Sequence, residues 1–144
     1  MIDIPDINVW LALVDENHMH HSAALDYWHQ ARANQVGFCR ITMLGFMRLS
    51  TQARVLSRAL TNTEAWDIYQ RYLATPNLVF LAEPSNLEPH FLLLTKDVGL
   101  PNRYWTDAYL AAFALATKAR LVSFDGDFQR FGGLDFLYLS VPQP

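Results

Sequence analysis

Short apolar runs alternate with longer stretches of helical pattern along the 144 residues of the chain. The apolar runs have the length of buried strands and lie at 1–5, 36–39, 78–82, 121–124 and 136–140. The helical patterns fill the intervals and lie at 22–34, 42–51, 63–74, 87–97 and 102–120. Strands that alternate with helices predict an α/β fold, with a parallel sheet of about five strands flanked by helices.

The clearest of these helices is the alanine-rich segment 102–120, whose interior has high helix propensity. Its pattern places Lys118 and Arg120 near the C-terminal end, where the helix dipole favours cations. The sequence contains no repeat and no Gly/Ser-rich linker. We therefore expect a single domain over 1–144.

Composition favours a folded, compact chain, because 51% of the residues are hydrophobic and 17% are charged. The one cysteine, Cys39, excludes an intrachain disulfide and fits a reducing compartment. No apolar run approaches the roughly 18 residues of a membrane span. The first residues are acidic where a signal peptide carries positive charge. These features predict a soluble, cytoplasmic protein.

The net charge of −3 conceals an uneven distribution of charged residues. No acidic residue lies between Asp26 and Glu64. Five of the eleven basic residues fall in that interval: Arg32, Arg40, Arg48, Arg54 and Arg58. They would form a basic surface for nucleic acid beside an acidic site, or else lie scattered on solvated helix faces.

Several carboxylates follow the ends of predicted strands. Asp6 follows the first strand, Asp125 and Asp127 follow the fourth, and Asp107 lies in the first turn of the alanine-rich helix. In a parallel sheet, sites form outside the carboxyl ends of the strands, so these groups are predicted to converge there. Carboxylates held together repel one another unless a cation joins them.

A magnesium or manganese ion with carboxylate and water ligands is the usual equipment for phosphodiester hydrolysis. Each carboxylate also has a structural alternative. Asp6 can cap the next helix, and Asp127 can cap the short segment FQRF. Asp107, in the first turn of its helix, can interact favourably with the positive end of the helix dipole.

Three segments match the ordered signature of one family. The stretch WTDAYLAAFALATKARLVSFDGDFQRF combines T-D-A, an alanine-rich helix and an apolar strand that ends in S-x-D-x-D-F. The start contains D-x-N-V-W-L-A-L followed by histidines, and CRITMLGFMRLST contains G-F-x-R on a central helix. In this order, the motifs resemble those of PIN-domain ribonucleases, particularly the VapC toxins of bacterial toxin–antitoxin pairs.

The resemblance implies a PIN-like domain on a twisted parallel sheet, with magnesium- or manganese-dependent endoribonuclease activity. It assigns metal binding and catalysis to three carboxylates, Asp6, Asp107 and Asp125. Asp127 would be a secondary ligand or would position water. Asn8 and Ser123 would border the substrate site and orient the carboxylates through hydrogen bonds.

The resemblance also implies partners. The family acts on structured RNA, tRNA especially, so RNA is the expected substrate. It implies a homodimer that is inhibited by a cognate antitoxin, whose C-terminal peptide enters the active-site groove.

Two departures from the family pattern affect the expected site. Family members usually carry a glutamate on the central helix, often just after its threonine, but here Met43 follows Thr42. The lost carboxylate favours a site with one metal ion and leaves open an inactive enzyme. Pro5, next to Asp6, donates no ladder hydrogen bond and is tolerable only at the last position of a strand.

Further candidates have two interpretations each. Arg48 contacts an RNA phosphate, or it pairs with an active-site carboxylate or a helix end. Trp105 stacks on an RNA base at the mouth of the site, or it packs in the fold. The histidines of HMHH bind a transition metal, or they begin a helix.

Four apolar residues crowd the central helix and cannot all face the core: Met43, Leu44, Phe46 and Met47. An exposed apolar strip there would suit a dimer partner or an antitoxin peptide.

Two alternatives to the nuclease remain. The chain is a PIN scaffold with a degenerate site that binds RNA or protein, or the D-x-D of FDGDF belongs to an aspartyl-phosphate phosphatase. In such phosphatases that motif ends the first strand, whereas here it ends the fourth.

Overall fold

The structure is a computed structural model that describes residues 1–97 and 99–139. Within these residues the sheet has five strands, β1 (Ile2–Pro5), β2 (Gln35–Phe38), β3 (Leu78–Phe80), β4 (Arg120–Ser123) and β5 (Phe136–Tyr138). All neighbouring strands are parallel, in the order β3-β2-β1-β4-β5. The predicted α/β fold with a parallel sheet is confirmed. The last predicted strand extended to Ser140, which lies outside the described residues.

Six α-helices flank the strands in the described part of the chain: α1 (Ile7–Val14), α2 (His21–Asp26), α3 (Arg40–Ser50), α4 (Asn62–Ala74), α5 (Leu87–Thr95) and α6 (Trp105–Thr117). A turn of π-helix, Tyr27–Ala31, continues α2, and short 3₁₀ helices lie at Asn102–Tyr104 and Gly126–Arg130. Among the described helices, none combines the length and apolar character needed to cross a bilayer.

Two helices differ from the sequence predictions. Helix α1 was not among the predicted helices, although Asp6 was considered as a cap for a following helix, because its seven apolar residues follow β1 with only Asp6 and Asn8 to interrupt the run. The alanine-rich helix ends at Thr117 rather than at residue 120, and Lys118 takes a left-handed backbone conformation with φ 57°. Arg120, expected near the end of that helix, instead begins β4, where its guanidinium pairs with the carboxylate of Asp3.

Strand order places the carboxyl ends of β1 and β4 side by side at the centre of the sheet. Pro5, the last residue of β1, is the register partner of Val122, and Asp6 N donates to Val122 O at 2.8 Å. Proline therefore stands at the tolerated last position of its strand, as the sequence required. The chain runs outward from β1 through β2 to β3 and then returns to the other side of β1, which makes this edge a topological switch point.

The core lies on both faces of the sheet. Leu121 packs among the alanines of α6, while the next residue, Val122, packs on the opposite face against Val9 of α1. A second cluster is centred on Trp10, whose ring stacks on Phe38 with centroids 3.9 Å apart. Both helix layers therefore pack on the sheet through apolar contacts.

Helix α1 is held close to α3 by a glycine. A Cβ on Gly45 would overlap the side chain of Ile7, so the two helices approach as they do only because that side chain is missing. Ile7 is the first residue of α1 and directly follows Asp6. The close approach therefore helps to set the position of the Asp6 carboxylate.

Candidate active site

Asp6 lies at the junction of β1 and α1 and serves both. Its Oδ1 accepts a hydrogen bond from Ile7 N at 2.8 Å as the N-cap of α1, and its Oδ2 accepts one from Ser123 Oγ at 2.9 Å. Burial raises the pKa of the Asp6 carboxyl, the two hydrogen bonds oppose that rise, and the negative charge of Asp125 adds to it. The capping role and the site position foreseen for Asp6 thus occur together.

Ser123, the buried last residue of β4, connects the carboxylates. Its Oγ donates to Asp6 and accepts from Asn8 Nδ2 at 3.0 Å and from Asp125 N at 2.9 Å. The Oδ1 of Asn8 accepts from Phe124 N at 3.3 Å. One hydroxyl therefore ties the ends of β1 and β4 together, and Asn8 and Ser123 lie beside the carboxylates.

Asp107 lies in the first turn of α6 and is half-buried. Burial raises the pKa of its carboxyl to about 6, helped by the negative charges of Asp6, Asp125 and Asp127, while the positive charge of Arg130 opposes the rise. The Asp107 carboxyl therefore lies within electrostatic reach of the other three carboxylates. In the described residues, the ion pairs are Arg58–Glu64 and Arg120–Asp3, so neither neutralises this group.

The capping role considered for Asp127 belongs to Asp125 instead. Asp125, not Asp127, is the N-cap of the 3₁₀ helix Gly126–Arg130, because its Oδ1 accepts from Asp127 N at 2.9 Å. The suggested Asp127 cap is therefore wrong: the helix begins one residue earlier than Asp127. Asp127 is exposed, and its Oδ2 accepts a hydrogen bond from Tyr104 Oη at 2.9 Å.

Three residues near the carboxylates were not identified from the sequence: Arg103, Tyr104 and Arg130. Tyr104 is buried, and the guanidinium carbons of Arg103 and Arg130 lie 4.6 Å and 3.8 Å from the centre of its ring. Their only sequence signal was proximity to the motifs, since two of them directly precede Trp105 and the third lies in FQRF.

The donor chemistry of the site fits magnesium or manganese, because both prefer carboxylate and water oxygens. Over 1–97 and 99–139, however, no three His, Cys, Asp or Glu side chains stand close enough to hold a metal ion. An ion at this edge would therefore keep several waters, as magnesium commonly does, or draw the side chains inward.

Of the histidines of HMHH, His20 lies beside the site, because its ring contacts Phe124, which is between Ser123 and Asp125. His18 Nδ1 accepts from His20 N at 3.0 Å, and His21 Nδ1 lies 2.7 Å from Ala12 O. The ring of His20 stacks on Phe124 with centroids 4.6 Å apart. Within the described part of the chain these histidines form no three-residue metal group, so the transition-metal interpretation finds no support.

The first turn of α3 carries no carboxylate toward the site. Thr42 is buried, and its Oγ1 accepts from Cys39 N at 3.0 Å and donates to Cys39 O at 3.1 Å. Met43 is buried in the cluster around Trp10. The position where the family usually carries glutamate is therefore part of the hydrophobic core.

Arg48 does not lie with the carboxylates. It is exposed in the last turn of α3. Helix α3 begins at Arg40, just after the carboxyl end of β2, and Arg48 lies about 12 Å further along the helix axis. It lines a shallow groove with Leu44 and Trp66, which are 53% and 49% exposed. Of the four crowded apolar residues, Leu44 faces solvent and Phe46 is fully buried, so the expected apolar strip is narrow.

Trp105 is exposed two residues before Asp107 and makes an edge contact with Phe91, with ring centroids 5.6 Å apart. Its indole is therefore free for a ligand or partner on one side while it packs against α5 on the other.

The family model described as PIN domain matches residues 4–134. The chain therefore belongs to the PIN-domain family. Its place within that family is among the VapC ribonucleases. It is 37% identical to Ribonuclease VapC41 of Mycobacterium tuberculosis over 141 residues, which span 94% of this chain and 97% of the relative. It is 36% identical to Ribonuclease VapC37 of the same organism over 135 residues, which span 91% and 92%.

Solved structures share the fold. VapC20 of Mycobacterium tuberculosis, described as a sarcin-ricin loop cleaving toxin, has a TM-score of 0.68 at 17% identity and covers 92% of this chain and 97% of its own. The DNA-bound VapBC of Salmonella typhimurium has a TM-score of 0.68 at 12% identity, with 96% and 98% covered. At these identities the likeness supports the five-stranded architecture alone.

Proposed function

We propose that the chain is a VapC-like endoribonuclease toxin that cleaves RNA with the help of Mg²⁺ or Mn²⁺. The main support is the electrostatics of the switch point. The charges of four carboxylates act on one another there, and Asp107 has a pKa of about 6 because its burial and the negative charges of Asp6, Asp125 and Asp127 outweigh the opposing charge of Arg130. A group of carboxylates of this kind is suited to a divalent cation and a phosphodiester.

Asp6, Asp107 and Asp125 would hold the ion through their carboxylate oxygens. When bound, a divalent ion polarises the phosphoryl oxygen and lowers the pKa of the attacking water. Ser123 fixes the rotamer of Asp6 by donating to Oδ2, and Asn8 in turn fixes Ser123. Asp127, held by the Tyr104 hydroxyl, would orient the attacking water and receive its proton.

The substrate would be structured RNA such as tRNA, and the partners a cognate antitoxin and a second copy of the chain. Relatives named as ribonucleases support an RNA substrate, and neighbours solved as toxin–antitoxin complexes support the antitoxin. Exposed apolar side chains on α5 and at the start of α6 support the homodimer: Leu92, Leu93 and Trp105.

The test compares the wild-type chain with Asp6→Ala and Asp107→Ala on a tRNA transcript in Mg²⁺, in Mn²⁺ and in EDTA. We expect divalent-dependent cleavage by the wild type and none by the two variants. Asp67→Ala is the matched control, because Asp67 is an exposed acid on α4. Magnesium-dependent cleavage retained in both site variants would contradict the proposal.

A second candidate is a PIN scaffold that binds RNA or protein without cleaving. The buried Met43 and the lack of a ready three-residue metal group in the described part of the chain favour it. Titration calorimetry with Mn²⁺ separates the two candidates. Absence of binding, together with intact RNA affinity, would favour the scaffold.

A further inference from the structure

Tyr104 joins the two short 3₁₀ helices that border the carboxylates. It ends the helix Asn102–Tyr104, directly before α6, and its Oη donates to Asp127 in the helix Gly126–Arg130. The same buried ring carries the guanidinium of Arg130 at 3.8 Å and that of Arg103 at 4.6 Å. Two cations are thus held beside Asp127, at one edge of the carboxylates.

These two arginines keep most of their hydrogen-bonding capacity. Both are exposed, and among the described residues neither has a carboxylate oxygen within the 4.0 Å of an ion pair. Arg103 uses one N–H on Tyr104 Oη at 3.2 Å. Each guanidinium carries five N–H donors, so most donors face outward.

Stacking on a buried ring holds a guanidinium in place without using its edge donors. A guanidinium held in this way loses less freedom when it binds a planar anion, and phosphate oxygens accept two of its N–H groups at once. Arg130 lies three residues after Asp127 in the same 3₁₀ helix, and Tyr104, whose ring carries both guanidiniums, donates to Asp127. The two cations therefore lie beside the carboxylates at this end of the sheet.

We propose that Arg103 and Arg130 form a phosphate clamp, which binds a backbone phosphate of the RNA next to the one that is cleaved. The clamp rests on the proposed function for its substrate. Tyr104 is a positioning residue: its ring holds both guanidiniums, and its hydroxyl donates to Asp127 and accepts from Arg103.

The binding experiment uses a fluorescein-labelled RNA hairpin and the full chain in an Asp6→Asn background, so that the RNA stays intact. Arg103→Gln and Arg130→Gln should each weaken binding about tenfold and reduce the slope of log Kd against log salt by about 1. Arg71→Gln is the matched control, an exposed arginine in the last turn of α4, and should change neither quantity.

The cleavage experiment uses the same substitutions in the otherwise wild-type chain. The arginine variants should raise KM about tenfold and change kcat by less than about twofold. Tyr104→Phe removes the hydroxyl and its bonds to Asp127 and Arg103 but keeps the ring under both guanidiniums, so it should lower kcat while KM stays within about twofold. Circular dichroism melting confirms that each variant is folded.

The proposal is overturned if the arginine variants match Arg71→Gln in affinity and salt slope. It is also overturned if they lower kcat with affinity unchanged, because they would then act only on Asp127. A chain that binds the hairpin through these arginines but never cleaves RNA would retain the clamp and refute the proposed nuclease.

Discussion

Asp3 and Asp6 lie three residues apart, at opposite ends of β1, and their surroundings differ completely. Asp3 is fully buried and accepts from Arg120 Nε and Nη2, both at 2.9 Å, from Tyr27 Oη at 2.7 Å and from Ala33 N at 2.9 Å. Asp6 accepts from one hydroxyl and one backbone N–H, and the neighbouring charge that shifts its pKa is the carboxylate of Asp125.

The difference separates two uses of a carboxylate. At the amino end of the sheet, the charge of Asp3 is neutralised by a guanidinium built into β4, and burial together with that charge raises the pKa of Tyr27. At the carboxyl end, the charges of Asp6 and Asp107 lack a cation of comparable proximity in the described residues. The fold itself neutralises the carboxylate charge at the amino end, whereas the charge at the carboxyl end is available to a cationic ligand.

The largest expected effects, on RNA cleavage and on stability, come from replacing the aspartate at either end of β1 by its amide, asparagine. Asp6→Asn should reduce RNA cleavage to background and leave the melting temperature within a few degrees of wild type, because the amide oxygen keeps the N-cap bond from Ile7 N and only the bond from Ser123 Oγ is lost. Asp3→Asn should lower stability sharply, by about 3 kcal/mol, since it leaves Arg120 without its carboxylate. Urea denaturation and a gel-based cleavage assay measure the two effects.

The contrast between Asp3 and Asp6 would be contradicted if both variants lost stability, or if both lost RNA cleavage. Cleavage per folded molecule by Asp3→Asn should equal that of the wild type, which active-site titration with labelled RNA can check.

A second expected effect concerns the pair at the amino end. Arg120→Met leaves Asp3 buried and unpaired, so it should lower the free energy of unfolding by about 3 kcal/mol. The double variant Asp3→Leu/Arg120→Met removes both charges and should recover most of that loss. A double variant less stable than Arg120→Met would mean that the hydrogen bonds of Tyr27 and Ala33, rather than the ion pair, dominate.

The smallest expected effect is a pH dependence of folding stability, which comes from the Asp107 carboxyl at the carboxyl end of the sheet. Asp107 has a pKa of about 6 in the folded chain and roughly 4 in an unfolded one. Between these values the folded chain holds more protons, so this carboxyl stabilises the fold at low pH and that contribution is lost as pH rises through 6. In EDTA, Asp107→Asn should therefore be more stable than wild type at pH 7.5, by about 1 kcal/mol after solvent screening, and equal to it near pH 4.

Melting curves in EDTA at several pH values measure this difference, with Asp67→Asn as an exposed control. Mg²⁺ should raise the melting temperature of the wild type and not that of Asp107→Asn. A difference in melting temperature between wild type and Asp107→Asn that does not change with pH would contradict the raised pKa of Asp107.

The strands and most helices were predictable because their signals are local: short apolar runs, helical patterns and turn residues. The carboxylates were predictable for a topological reason, since parallel strands bring their carboxyl ends to one edge. Helix α1 was missed because its apolar residues continue the pattern of β1, and only the capping geometry of Asp6 separates the two elements.

The remaining features depend on contacts that sequence spacing does not encode. Arg120 meets Asp3 across 117 positions of the chain, and Tyr104 meets Asp127 across 23. Which aspartate caps the turn after β4 depends on where that turn begins, a difference of a single residue. Charge neutralisation is therefore a property of the folded sheet, and the two ends of β1 look alike in the sequence.

The burial of Met43 has a consequence for how this site can change over evolutionary time. A single substitution to glutamate there would place an unpaired charge against Trp10 and its neighbours, at a cost of several kcal/mol. Most of the stability of an ordinary domain would be lost before any ligand was gained. A glutamate at position 43 would therefore require that α3 first repack against α1. Without that repacking, the site is limited to the four aspartates already present.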